Sequence, residues 1–91
     1  MNILDNIASS VLANNPPITL ARWQTRGNKH WLELYTGYNE HGQYWSYRGN
    51  GCGGCLGGTN NGMSQELAFV AIEKKVWEAH YYDSINMKRI S

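Results

Sequence analysis

ITLARWQTRGNKHWLELYTGYNEHGQYWSYR, residues 18–48, reads as three strands separated by two turns. Ile18, Thr19, Leu20 and Trp23 carry β-prone side chains, which predicts a strand over 18–26. Gly27 and Asn28 mark the first turn. In the second strand, 29–36, Leu32 and Leu34 fall on one face and Trp31, Glu33 and Tyr35 on the other, because side chains alternate along a strand. The leucine face should meet the helices and the opposite face should be wetter. Residues 37–42 are rich in turn formers, and a third strand follows over 43–48, with Tyr44 and Ser46 on one face and Trp45 and Tyr47 on the other. Spacings this short favour consecutive hairpins, hence an antiparallel meander.

The flanks read as helices. Ile3, Leu4, Ile7, Ala8, Val11 and Leu12 recur at helical spacing over 3–13, with Asn2 as cap; Pro16 and Pro17 stop the pattern. Residues 64–81 predict a C-terminal helix capped by Ser64. Ala68, Phe69, Ile72, Val76 and Ala79 form its core face. Leu67, Val70, Trp77 and Tyr81 form a second apolar stripe. A helix on a small domain needs one apolar face, so the second stripe needs a partner: the first helix, the C-terminal tail or another chain. Residues 82–91 suit a short edge strand or a packed tail. The expected fold is α+β, two-layered, in the order α-β-β-β-α, over a single domain 1–91. That order resembles double-stranded RNA-binding domains, which open their second helix on a basic cluster; here the position reads Met63, Ser64, Gln65 and Glu66, so the resemblance implies fold order alone.

Composition narrows function mainly by exclusion. Charged residues make up 16% and hydrophobic ones 42%, which excludes a disordered chain. A net charge of +1 gives no broad attraction to nucleic acid or to an anionic membrane. No apolar run approaches the ~20 residues of a membrane helix, and no secretory signal opens the chain, so the cytoplasm is the expected compartment. No Ser/His/Asp spacing suggests catalysis, and a non-enzymatic protein is expected.

Three features remain. The first is the glycine-rich segment 49–62, GNGCGGCLGGTNNG, expected as a flexible loop. Gly49, Gly51 and Gly54 make G-x-G-x-x-G, and with Arg48 they are candidates for a phosphate or small-ligand site. The context argues against it: there is no βαβ unit, and the following helix starts too late. The second is Cys52 and Cys55, a CxxC that grips zinc when it forms a tight knuckle; His41 is the nearest candidate for a further ligand. No other cofactor is implied. The third is the aromatic set Trp31, Tyr35, Trp45 and Tyr47. On one shared sheet face they would stack single-stranded nucleic acid or form a dimer seam.

The expectation that ranks first is docking on a protein partner, or on a second copy in a homodimer, through these aromatics or through Leu67, Val70, Trp77 and Tyr81. Small size and little visible chemistry fit an inhibitor of the phage or mobile-element kind that docks on a host protein. A small-ligand or metal binder built on the CxxC segment is the second reading, and single-stranded nucleic-acid binding is the third.

Overall fold

The computed structural model describes residues 16–91. The helix expected over 3–13 lies outside the described residues. The three expected strands form as β1 (Ile18–Gln24), β2 (Trp31–Asn39) and β3 (Gly42–Gly49). They pair antiparallel in succession. The sheet is wider than the expected meander. A fourth strand, β4 (Cys52–Gly58), pairs with β3, and a two-residue β5 (Lys88–Arg89) pairs with β1. The order is β4-β3-β2-β1-β5, all antiparallel. A 3₁₀ turn (Thr59–Asn61) leads from β4 into the single helix of the described residues, α1 (Gln65–Asp83).

The glycine-rich segment is thus a strand over half of its length, not an irregular loop throughout. Asn50 and Gly51 turn the chain, with Gly51 at φ +82°. The Asn50 side chain ties this turn to the start of β2: its Oδ1 accepts from the Trp31 N–H at 2.9 Å and its Nδ2 donates to the Lys29 carbonyl at 3.1 Å. Pairing with β3 then offsets the ordering cost of the glycines. A Cβ at Gly54 would lie 3.3 Å from the Tyr47 ring, so the missing side chains let β4 lie close against that residue.

The β2–β3 turn fixes which residues share a face. Asn39 closes on Gly42, so odd-numbered residues of β2 stand opposite even-numbered residues of β3. Leu34 therefore meets Tyr47 and Thr36 meets Trp45, while Tyr35 meets Ser46. Leu32, Leu34 and Trp45 join Ala21 and Trp23 of β1 on the side that packs against Ala68 and Ile72 of α1. The expected inward face of β2 and the expected core face of the helix are both observed.

The helix ends are specified locally. The Ser64 hydroxyl accepts from the Leu67 N–H at 3.3 Å, and Glu66 sits in the first turn, where negative charge is favoured. At the far end Ser84 adopts φ +57°; its N–H donates to the His80 carbonyl and that of Ile85 to the Ala79 carbonyl. This reversal returns the chain to the sheet. Met87 enters the core, and the Ile90 N–H donates to the Arg22 carbonyl at 2.8 Å, which docks the tail beside β1. The tail is both a short edge strand and a packed segment. Among the described residues no helix is long and apolar enough to cross a membrane.

Candidate functional site

Helix α1 is apolar on two opposite sides. Its sheet side buries Ala68 and Ile72. Its other side carries Leu67, Val70, Trp77 and Tyr81 into solvent, at 51%, 62%, 57% and 66% exposure. At 100° per residue these four lie within one sector, diametrically opposite the buried one. Trp77 and Tyr81, one turn apart, stack with centroids 5.0 Å apart and planes 12° apart. Tyr82 meets Tyr81 edge-on at 5.0 Å and is itself exposed. These rings form one aromatic surface at the C-terminal half of the helix, and Leu67 and Val70 form an aliphatic one at the N-terminal half.

The four sheet aromatics do not share a face. The register places Trp45 and Tyr47 toward α1, and Trp31 and Tyr35 on the open side. Trp45 is 3% exposed, a core residue. Its indole N–H is buried with no hydrogen-bond partner among the described residues. Tyr47 packs at the core edge under Lys75, whose ammonium lies 4.7 Å from the ring centroid. The stacking platform expected from the sequence is therefore divided between two sides of the sheet.

The open face is finished with its own groups. Arg22, Glu33 and Arg48 stand in register across β1, β2 and β3. Glu33 Oε1 lies 3.5 Å from Arg22 and 3.2 Å from Arg48. Arg22 also donates to Gln24 and Asn28 and covers the Trp31 ring at 4.4 Å; Arg48 donates to Thr19 and covers Tyr35 at 5.2 Å. Both guanidinium groups, the natural phosphate contacts of this face, are already engaged within the chain.

Cys52 and Cys55 stand in β4 rather than in a knuckle. Three residues of extended chain separate them by about 10 Å and point them to opposite faces. Cys52 is paired with Gly49 and borders the groove beneath the C-terminal half of α1, with Lys75, Ala79 and Tyr82; Cys55 is paired with Ser46 and borders a separate small groove with Asn39, His41 and Tyr44. One ion cannot reach both thiols. His41 accompanies Cys55 alone and lies 3.3 Å from Glu40. Among the described residues no three His, Cys, Asp or Glu side chains converge to hold a metal.

The G-x-G-x-x-G residues are likewise dispersed. Gly49 ends β3, Gly51 is the turn, and Gly54 pairs with Tyr47 inside the β3–β4 ladder. No loop there gathers backbone N–H groups at a helix N-terminus, as a phosphate site requires. Arg48, the basic residue assigned to that site, turns instead to Glu33 and Tyr35.

Two features went unread in the sequence. Tyr82 extends the aromatic surface, a role signalled only by its adjacency to Tyr81. A groove of about 390 Å³ lies beside it, between the ends of β2 and β4 and the last turns of α1, bordered by His30, Trp31, Cys52 and Glu78 among others. Cys52 is the residue β4 contributes to it. The chain matches no protein-family model, no curated protein and no solved structure.

Proposed function

We propose that the protein is a non-enzymatic docking module that binds another protein through the outward side of α1. The observation that carries this reading is the solvent exposure of Leu67, Val70, Trp77 and Tyr81 on a helix whose opposite side already fills the core. Scattered surface apolar residues need no explanation, but an aliphatic pair and a stacked aromatic pair aligned on one side of a helix fit an interaction surface. Trp and Tyr are also enriched at the energetic centres of interfaces. The stacked rings of Trp77 and Tyr81 are held by contact with each other, so less side-chain entropy is lost on binding.

Two comparisons within the molecule support the choice of surface. The open sheet face uses its arginines to cover its aromatics, which leaves little unsatisfied surface for a partner. The cysteines lie on opposite faces of β4, which separates them from any single ligand.

The test is site-specific photocrosslinking in cells. A photoreactive residue at position 77 should give discrete adducts with a protein, whether a different chain or a second copy. The same residue at position 35, on the open face, should give none. Adducts from position 35 and none from position 77 would overturn the reading.

A further inference from the structure

We propose that the outer edge of β4 takes an extended segment of a protein partner as a further strand, with an acidic residue of that segment opposite Gly54. This surface is separate from the outward side of α1. β4 ends the sheet on its side. Gly49 and Cys52 close a two-residue turn, so they exchange both of their backbone hydrogen bonds. The ladder then alternates: Gly54 bonds to Tyr47, while Gly53 and Cys55 turn their N–H and C=O groups away from β3. Both residues are exposed, and their outward groups have no backbone partner among the described residues.

The two edges of the sheet differ. β5 is two residues long, and both are exposed cations, which blunts that edge. β4 is seven residues long and holds no proline and no charged residue. Its pairing with β3 is regular from Cys52 to Cys55, before the irregularity opposite Trp45 and Ser46. A row of unpaired backbone groups on an extended strand selects another extended backbone, which is strand addition.

Charge selects the kind of segment. Gly54 pairs with Tyr47, so the residue of an added strand opposite Gly54 points to the α1 side as Tyr47 does. There the Tyr47 ring leans across Gly54, its hydroxyl 3.4 Å from the place a Cβ would take. The Lys75 ammonium lies 4.7 Å from the centroid of that ring. Among the described residues Lys75 enters no ion pair, and Glu78, three residues on, lies 3.9 Å from Lys74 instead. A carboxylate opposite Gly54 would meet a cation and a phenolic donor together. A second copy of β4 fits poorly. It has no acidic residue, and pairing β4 on β4 about a two-fold axis would bring two Lys75 side chains to the same face of the joined sheet.

The experiment is amide hydrogen exchange by NMR on the full chain. The probe is the capped peptide Thr-Thr-Val-Glu-Val-Thr-Thr, and the control is the same peptide with a central lysine. In the chain alone, Gly53 and Cys55 should exchange fast and Gly54 slowly. The glutamate peptide should slow Gly53 and Cys55 several-fold and bind several-fold more tightly than the lysine peptide. Lys75→Glu should invert that preference. Cys55→Pro removes one outward N–H where an edge strand tolerates proline, and should abolish binding with the Tyr47 amide still protected. Slow exchange at Gly53 and Cys55 in the chain alone would overturn the proposal: with concentration dependence a second copy holds the edge, and without it the chain covers the edge itself. Equal binding of the two peptides, binding that spares Gly53 and Cys55, or no binding at millimolar peptide would overturn it too. None of these outcomes alters the crosslinking from position 77, which tests the outward side of α1 separately.

Discussion

Glu33 pairs with two opposite charges, Arg22 and Arg48, and the worth of that arrangement is measurable. Its carboxylate serves two guanidinium groups on a partly solvated face, so the gain is modest compared with a buried pair. Glu33→Gln should cost about 1 kcal/mol in urea denaturation, and the difference from wild type should shrink in high salt. Ile72, by contrast, is fully buried between helix and sheet. Ile72→Ala should cost about 2–5 kcal/mol in the same measurement, with no salt dependence. The thiols give a third prediction. Cys52→Ser with Cys55→Ser should leave partner binding intact, and the wild-type chain should show no tight stoichiometric zinc binding in titration calorimetry, because its thiols lie on opposite faces of β4. One zinc bound per chain, lost in the double variant, would show that β4 opens into a knuckle.

At the scale of the element, β4 separates what was legible from what was not. The strands over 18–48 and the helix over 64–81 were readable because hydrophobic alternation and helical periodicity are carried by large side chains such as Leu32, Leu34, Ala68 and Ile72. β4 has almost no side chains to carry a pattern: four of its seven residues are glycine. Its pairing follows from backbone hydrogen bonding to β3 and from the Asn50 contacts with β2, neither of which leaves a periodic trace. The same gap misplaced the candidate site. Reading 49–62 as a loop brought Cys52 toward Cys55, whereas a strand sets them on opposite faces. The sheet aromatics were misgrouped for a related reason, since alternation gives faces within one strand but only the turn register relates one strand to the next.

Two glycines test this element directly. A Cβ at Gly49 would lie 2.6 Å from the Trp31 carbonyl oxygen, a backbone atom that cannot swing aside. Gly49→Ala should cost about 2–3 kcal/mol and reduce amide protection in β4. At Gly51 nothing obstructs a Cβ, and only its positive φ opposes a side chain. Gly51→Ala should cost about 1 kcal/mol, the ordinary penalty for a non-glycine residue in the left-handed region. Equal effects at the two sites would argue that the hairpin is not closed as described.

For the whole molecule, the decisive asymmetry lies between its two layers. The sheet buries one face on α1 and covers the other with its own arginine and aromatic pairs. Among the described residues, the helix buries one side and leaves the opposite side apolar and uncovered. The second stripe was visible in the sequence, and its exposure makes it the best candidate for contact with another chain. The stability of so small a core is expected to be modest, and a partner that binds only the folded state would add to it by mass action.

The central claim is best tested by hydroxyl-radical footprinting of the full chain, dilute and purified in one sample and inside its cells in the other. If the outward side of α1 is the docking surface, Trp77 and Tyr81 should oxidise readily in the dilute sample and be protected several-fold in cells, while Trp31 and Tyr35 should oxidise alike in both. Equal oxidation of Trp77 in the two samples, or protection confined to Trp31 and Tyr35, would contradict the account.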